Sequence, residues 1–356
     1  MSTSKLIESK RSPDEKPVID TGKLERVPFF SVCIPTYNRS KFLPQAIESV
    51  LAQDFTDFEL IICDNASTDN TQEVVESYKD DRIRYVRYED LVGMYANHNR
   101  CIDLAQAEWL VFLHSDDSLD NKALSLLSNK TKELDNIDAF VMAENNLGCT
   151  QVIGKIDPIF EQKKDYRITQ LSLVAFLVSD GFTPSGALFR KSQFKKLGEF
   201  EENTYSIGNK TYCYWSDTAL ELSWAMQNAN VFISKDSWMN YSRGNQSEFQ
   251  KMATHISYYK SHKIVFDQYF KSVCNEQINQ LNLALKKLDI NQQILFLKRC
   301  LQSNYSSEAN SLEKSLNISL SKCLSYSDYK RHIIPLKISS RIYWLILDLF
   351  KKIKQA

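Results

Sequence analysis

The chain has 356 residues, of which 43% are hydrophobic, so it can form one large domain or two domains with a sizeable core. Its 44 lysines and arginines balance 44 aspartates and glutamates, and a zero net charge lacks the basic excess that binds nucleic acid. The eight cysteines form no CxxC pair, which argues against a zinc site or redox motif and is typical of a reducing compartment.

The first part of the chain alternates short apolar runs with segments of helical spacing. Residues 1–28 are polar and are predicted to form a flexible leader. Strands separated by helices of the length seen after it form βαβ units and a mainly parallel sheet. The predicted strands are 30–34, 58–63, 83–86 and 109–113, and the predicted helices are 42–51, 70–78 (with a capping-box-like start at Asn70 and Glu73) and 94–105.

The pattern is less regular from about 120 to 250, and it is nearly all helical afterwards. The chain contains no internal repeat and no low-complexity tract. The predicted elements of the middle region are helix 123–134, strand 139–143, helix 168–178, strand 186–189 and helix 220–227.

The strand 109–113 runs directly into a histidine, a serine and two adjacent carboxylates, Asp116 and Asp117. A strand that ends in paired acids places both at the carboxyl edge of a sheet, where open α/β folds bind ligands. The two carboxylates repel each other unless a cation lies between them and a bound anion, and a divalent ion shared with phosphate oxygens suits this arrangement. The alternative is a solvated loop after a strand.

Two other strand ends carry side chains suited to a nucleotide. After the first strand, Tyr37 can stack on a flat base, while Thr36 and Asn38 can hydrogen-bond to its edge. After the second strand, Asp64 can accept a hydrogen bond from a ribose hydroxyl or a base N–H. The residues that follow Asp64 also suit a helix-capping loop, which is the alternative interpretation.

Taken together, these strand ends resemble the nucleotide-binding half of family 2 glycosyltransferases. The resemblance implies the GT-A fold, an α/β, Rossmann-like and mainly parallel sheet with flanking helices, followed here by a helical C-terminal region. The matching segments are 31–39, 46–53, 58–69 and 107–117.

The same resemblance implies how the site and the chain are organised. Asp116 is expected to contact the ribose, and Asp117 is expected to bind a divalent metal, Mn²⁺ or Mg²⁺, that bridges the diphosphate. The residues expected to hold the nucleotide are Pro35, Thr36, Tyr37, Asn38, Arg39, Asp64 and Asp116. The expected regions are the leader 1–28, a nucleotide-sugar-binding half 29–130, an acceptor-binding half 131–250 and a helical region 251–356 with an amphipathic terminal helix.

Two positions depart from the family pattern. The family usually has an aspartate where His114 stands, and it usually has an arginine where His98 precedes Asn99. Arg100 is a candidate replacement for that arginine in phosphate contact, although a shift of one helical position turns a side chain by about 100°.

The second half resembles the acceptor side of the family more faintly, most clearly over 183–190. Ser185, Gly186 and Trp215 are therefore expected near the acceptor or the donor sugar. Asp217 falls where the family carries its catalytic aspartate, which implies a general base that takes a proton from the acceptor hydroxyl. The alternative role for Asp217 is to cap the helix that follows it.

The last segment, 336–354, combines Trp344 and many aliphatic residues with lysines and arginines. This composition is typical of a helix that lies on an anionic membrane surface, and the alternative is a helix docked on the domain core. A polar N-terminus and the lack of an apolar run of bilayer length predict neither signal peptide nor transmembrane helix. We therefore expect a cytoplasmic protein, peripheral on the inner face of the membrane.

These observations predict an inverting, metal-dependent hexosyl- or N-acetylhexosaminyltransferase. It would move a sugar from a nucleotide diphosphate sugar, expected to be UDP-linked, to a hydroxyl of a saccharide or lipid-linked saccharide in surface polysaccharide or glycolipid assembly. One alternative is a nucleotidyltransferase, although residues 35–40 lack a basic glycine-rich loop. Another is a non-catalytic sugar-nucleotide-binding scaffold protein. The absence of GxGxxG after the first strand argues against a dinucleotide oxidoreductase.

Overall fold

The protein is represented by a computed structural model that describes slightly less than half of the chain. Among the residues that the structure describes, no helix is long and apolar enough to cross a membrane. The described residues are 15–142, 165–168, 185–201, 204–207, 210–213, 220, 223–224, 227, 229–234 and 236–240.

Thirteen strands and five helices lie within the described residues. The strands are β1 (Ile19–Asp20), β2 (Phe30–Thr36), β3 (Phe58–Asn65), β4 (Ile83–Tyr88), β5 (Trp109–Phe112), β6 (Ser118–Leu119), β7 (Ala139–Met142), β8 (Asp165–Arg167), β9 (Leu188–Arg190), β10 (Thr204–Ile207), β11 (Lys210–Cys213), β12 (Val231–Ser234) and β13 (Met239–Asn240). The helices are α1 (Leu43–Leu51), α2 (Thr71–Glu76), α3 (Met94–Leu104), α4 (Ala123–Glu133) and α5 (Lys191–Leu197).

Nine of these strands form one sheet in the order β1-β4-β3-β2-β5-β9-β7-β12-β8. The pairings β4-β3, β3-β2, β2-β5 and β7-β12 are parallel, while β1, β9 and β8 pair antiparallel to their neighbours. Six strands therefore run in one direction and three in the other. The predicted α/β fold with a mainly parallel sheet is confirmed.

The central strands are buried because helices cover both faces of the sheet. All eight residues of β3 are buried. On one face, Val32 and Ile34 of β2 belong to the same apolar cluster as Ile47 of α1 and Leu127 of α4. On the other face, α3 packs against β2 and β3. Covering both faces explains why these strands read as continuous apolar runs.

Part of the predicted flexible leader is a paired segment of the sheet. Within residues 15–28, β1 pairs antiparallel with β4 at the edge of the sheet. Arg84 is buried and donates two hydrogen bonds to the carboxylate of Asp20, from Nε at 2.9 Å and from Nη2 at 2.7 Å. The polar composition of the segment hid this strand, because Asp20 pairs with a charged residue of β4 and only the neighbouring Ile19 packs against the apolar core.

The predicted start of the helix at Asn70 differs from the structure. Asn70 makes no side-chain capping hydrogen bond to α2. Instead, Asp69 Oδ1 accepts hydrogen bonds from the backbone N–H of Thr71 at 3.1 Å and from its hydroxyl at 2.5 Å. Only residue 168 of the predicted helix 168–178 and half of the predicted helix 220–227 are described, and the predicted helical region 251–356 lies outside the described residues.

Candidate functional site

The loops after β2, β3 and β5 meet at one edge of the sheet. These strands are neighbours in the order β3-β2-β5 and run parallel, so their carboxyl ends lie side by side. Open α/β sheets bind their ligands at this edge. The structure thus brings together the three strand ends that the sequence indicates as a site.

Asn38 joins two of these loops. It lies in the left-handed region with a φ of 52°. Its Oδ1 accepts hydrogen bonds from the backbone N–H of Thr68 at 2.7 Å and of Asp69 at 3.3 Å, and its own N–H donates to Ser67 Oγ at 2.9 Å. The contacts of Asn38 therefore hold the loop after β2 against the loop after β3.

The end of β2 presents one exposed ring and one unpartnered hydroxyl. Tyr37 retains 36% of its surface exposure, the half-buried Pro35 precedes it by two residues, and Arg39 follows half-buried in the loop. Thr36 is buried, and its Oγ1 has no hydrogen-bond partner in the described part of the chain. Because an unpaired buried hydroxyl is unfavourable, a ligand group or water that bonds to Thr36 would be stabilised there.

Asp64 lies at the end of β3 with its carboxylate fully buried. Its Oδ1 accepts a hydrogen bond from the N–H of Ser67 at 2.9 Å, and its Oδ2 accepts from the Tyr85 hydroxyl at 2.6 Å and from Arg87 Nη1 at 3.0 Å. Burial and the bond to Asp64 raise the pKa of Tyr85, which keeps that hydroxyl protonated as a donor. Direct contact between Asp64 and a nucleotide stays a prediction.

Asp117 lies in the turn after β5 with only 6% of its surface exposed. Its Oδ2 accepts a hydrogen bond of 2.6 Å from the Ser185 hydroxyl, and that hydroxyl in turn accepts one of 3.1 Å from the backbone N–H of His114. The preceding Asp116 is half-exposed and has no hydrogen-bond or ion-pair partner among the described residues. Asp117 is therefore held by the Ser185 hydroxyl, and the carboxylate of Asp116 is open to a ligand.

The turn at Ser185 and Gly186 is held tightly against β5. The N–H of Gly186 donates to Phe112 O at 2.6 Å, and Trp238 Nε1 donates to Gly186 O at 2.7 Å. Gly186 has a φ of 75°, and a Cβ there would lie 2.5 Å from Met239 Sδ. The structure thus places Ser185 against Asp117, and Gly186 follows it in the same turn. Trp238 was missed by the sequence reasoning, although a buried tryptophan N–H usually marks such a hydrogen bond.

His98 lies on α3, buried against the rings of Phe112 and Phe200, with its ring centroid 5.6 Å from that of His114. Its Nδ1 donates to the carbonyl of Met94 at 2.8 Å, while its Nε2 has no partner among the described residues. Burial, together with the nearby His114, lowers the pKa of His98 to about 3. The imidazole is therefore neutral at pH 7.

Arg100 does not replace the arginine that is missing at position 98. Its guanidinium is 1% exposed and pairs with Glu15 at 2.6 Å, donates to Asn65 Oδ1 at 2.8 Å and stacks on the Tyr88 ring at 3.9 Å. The suggestion that Arg100 contacts a phosphate is wrong, because the turn of one helical position directs it away from the carboxylates and toward the leader segment.

Two predicted residues, Trp215 and Asp217, lie outside the described residues. In the part of the chain that the structure covers, no group of three or more His, Cys, Asp or Glu side chains is arranged to hold a metal ion.

Comparison with known proteins identifies the domain. Residues 31–198 match the model of "Glycosyl transferase family 2". This segment is a family 2 glycosyltransferase domain. The glycosyltransferase domain spans the whole carboxyl-edge site described above, from β2 to the turn at Ser185 and Gly186.

Solved structures support the GT-A fold of the chain. S. aureus TarS 1–349 in complex with UDP-GlcNAc is 18% identical, with a TM-score of 0.57 over 83% of this chain and 93% of that chain. The mannosyltransferase PcManGT from Pyrobaculum calidifontis, in complex with GDP-Man and Mn²⁺, is 15% identical, with a TM-score of 0.50 over 90% of this chain and 81% of that chain. At these identities the likeness concerns the fold.

A relative of known name is the GalNAc(5)-diNAcBac-PP-undecaprenol beta-1,3-glucosyltransferase of Campylobacter jejuni. The two sequences are 41% identical over 110 residues, which is 30% of this chain and 36% of that protein. The chain spans less than two thirds of the length of the curated relatives it matches.

Proposed function

We propose that the protein is an inverting glycosyltransferase that moves a sugar from a UDP-sugar to a hydroxyl group of a saccharide acceptor. The observation that carries this proposal is the pair of carboxylates after β5, in which Asp117 is buried and held by Ser185 while Asp116 is open. It is supported by the family match over 31–198. A nucleoside diphosphate sugar offers groups that suit both acids, a ribose hydroxyl and a metal-bound diphosphate.

The nucleotide would lie across the ends of β2, β3 and β5. The exposed Tyr37 ring is suited to stacking on the base, and the unpartnered Thr36 hydroxyl and the open Asp116 carboxylate are suited to hydrogen bonds with base and ribose. Asn38 and Asp64 contribute by holding the loops that shape this surface. Pro35 and Arg39 are the remaining residues that we propose to hold the nucleotide.

The residues fit a divalent metal, Mn²⁺ or Mg²⁺. Asp117 is a carboxylate oriented by one hydroxyl, and a buried carboxylate of this kind is a suitable ligand for a hard cation. Asp117 would hold the ion together with the diphosphate oxygens. When bound, the ion neutralises the charge that develops on the nucleoside diphosphate leaving group.

The acceptor side of the proposal rests on Asp217, with Trp215, Ser185 and Gly186 near the donor sugar or acceptor. Asp217 would take the proton from the acceptor hydroxyl as that oxygen attacks the anomeric carbon. The bond from the anomeric carbon to the diphosphate breaks in the same step. A single displacement of this kind inverts the configuration at the anomeric carbon.

A lipid-linked saccharide is the proposed acceptor class, in surface polysaccharide or glycolipid assembly. The name of the C. jejuni relative includes an undecaprenol-linked saccharide. The basic, tryptophan-containing segment 336–354 has the composition of a helix that lies on an anionic membrane surface, where such acceptors reside. The transferred sugar is proposed to be a hexose or an N-acetylhexosamine, because TarS was solved with UDP-GlcNAc.

The test is a thermal-stability screen of the full chain with UDP-glucose, UDP-galactose, UDP-GlcNAc, UDP-GalNAc and GDP-mannose, in Mn²⁺, in Mg²⁺ and in EDTA. We expect a UDP-sugar to raise the melting temperature only when metal is present. The Asp117→Asn variant should lose this shift and keep the fold. The control Asp135→Asn removes an exposed acid before β7, at the opposite edge of the sheet, and should retain the shift.

The screen and a turnover assay separate the proposal from its alternatives. Release of UDP from the stabilising donor in the presence of acceptor supports a glycosyltransferase. Binding without release supports a scaffold protein, and release of pyrophosphate from UTP and a sugar 1-phosphate supports a nucleotidyltransferase. Stabilisation that is equal in wild type and Asp117→Asn contradicts the metal assignment.

A further inference from the structure

His114 shares a turn with Asp117 at the edge of the sheet. The backbone N–H of Asp117 donates to the carbonyl of His114 at 3.0 Å, which closes the turn. Within this turn, His114 Nδ1 lies 3.9 Å from Asp117 Oδ2, and the imidazole keeps 33% of its side-chain exposure. An accessible imidazole nitrogen therefore lies beside a buried carboxylate.

The spacing of the two side chains suits a shared ion. Two ligand atoms that each lie about 2.1 Å from one ion are about 3 Å apart at a right angle and about 4.2 Å apart when opposite. The observed 3.9 Å between Nδ1 and Oδ2 lies between these two values, so a small movement of the ring would bring both atoms to one ion. A partly exposed ring on a turn can also adjust its position through its own rotamer.

A second imidazole lies beside His114. The ring that meets His114 edge-on belongs to His98, which is itself buried among aromatic rings. His98 Nδ1 is already hydrogen-bonded to Met94 O, and its Nε2 is buried. Of the two histidines, His114 is the one whose ring is accessible from the site.

We propose, on the basis of the proposed function, that His114 and Asp117 together hold the divalent ion of the donor diphosphate. A nitrogen ligand in place of a second oxygen ligand disfavours Mg²⁺, which prefers oxygen, and favours transition-metal ions from Mn²⁺ to Zn²⁺. The diphosphate and water supply the other ligands.

The test is pulsed electron paramagnetic resonance of the full chain with Mn²⁺ and UDP. Nitrogen bound to Mn²⁺ modulates the spin echo, and ¹⁵N-histidine labelling changes the modulation frequency. We expect wild type to show this histidine-dependent modulation. His114→Asp should still bind Mn²⁺ and UDP but lose the modulation, and its ratio of Mg²⁺ to Mn²⁺ affinity in calorimetry should rise about tenfold.

His98→Phe is the matched control, because it keeps a ring in the aromatic cluster and removes the other nearby imidazole. It should retain the modulation. The inference is overturned if the modulation is lost in His98→Phe and kept in His114→Asp, or if Mn²⁺ and UDP bind to wild type without histidine modulation. In the latter case the proposed function stands. If wild type binds neither Mn²⁺ nor UDP, both proposals fail.

Discussion

Two buried carboxylates at the ends of parallel strands have different surroundings. Asp64 accepts hydrogen bonds from Ser67, Tyr85 and Arg87, so its charge is balanced within the protein. Asp117 is oriented by the hydroxyl of Ser185 and adjoins the open carboxylate of Asp116. The same residue type in the same kind of position is therefore balanced by a cation in one case and oriented by a hydroxyl in the other, and ligand contact at Asp117 stays a prediction.

The proposed base can be tested by removing its proton-accepting group alone. Asp217→Asn retains the shape and most of the capping ability of the side chain. We expect turnover to fall by about 10²- to 10⁴-fold, the usual contribution of general-base catalysis, with donor affinity unchanged. Initial rates and donor binding measure the two effects. Normal turnover combined with a lower melting temperature would support the capping role instead.

Gly186 is required by both backbone and packing. Gly186→Ala would place a Cβ 2.5 Å from Met239 Sδ at a φ of 75°, so we expect the free energy of unfolding to fall by about 2–3 kcal/mol. Gly198→Ala is the matched control, because its φ is 108° and no atom lies within 4 Å of the added Cβ. Urea unfolding measures the loss in the free energy of unfolding for both variants. Equal losses would show that backbone strain, and not the methionine contact, is responsible.

At the scale of elements, the strands are longer than their apolar runs. The parallel register of β2 and β3 continues through Pro35 opposite Cys63 and Thr36 opposite Asp64. Proline is tolerated there because the pairing of β2 with β5 ends at Cys33, so no ladder partner requires the missing N–H. The polar ends of the strands are part of the sheet, which positions the site residues rigidly.

The edge strand β1 gives a prediction about stability and pH. The Arg84 guanidinium beside Asp20 holds the pKa of that carboxyl below its usual range. A lowered folded-state pKa means that this contribution is present above the unfolded-state pKa of about 3.9 and is lost as the pH falls through the folded-state value. Asp20→Asn should therefore lower the free energy of unfolding by about 1 kcal/mol at pH 7.

Urea unfolding at pH 7 and at steps down to pH 3 measures this effect. The difference between wild type and Asp20→Asn should shrink at the acidic end of the series. Asp81→Asn, which changes an exposed acid near the start of β4, is the control and should change stability by less than about 0.5 kcal/mol. A loss at pH 7 that is the same for both variants would refute the role assigned to the β1 contact.

At the scale of the whole molecule, the remaining question is whether segment 336–354 binds a membrane. Truncation after Pro335 should abolish sedimentation with phosphatidylglycerol vesicles and leave donor hydrolysis intact. Each basic residue near an anionic surface contributes about 1 kcal/mol, so binding by the full chain should weaken as salt is added. Phosphatidylcholine vesicles are the control. If the truncated chain is insoluble, or if the full chain does not bind anionic vesicles at low salt, the segment belongs to the core.

The sequence by itself determined the alternation of strands and helices and the position of acids at strand ends. Both follow from local rules, since burial on two faces produces apolar runs and the carboxyl ends of parallel strands share one edge. Only the tertiary structure decided the contacts between distant residues. Ser185 meets Asp117 across 68 positions, and Arg100 pairs with Glu15 across 85. No local pattern encodes such pairs, because the antiparallel insertion of β9 and the docking of β1 create them.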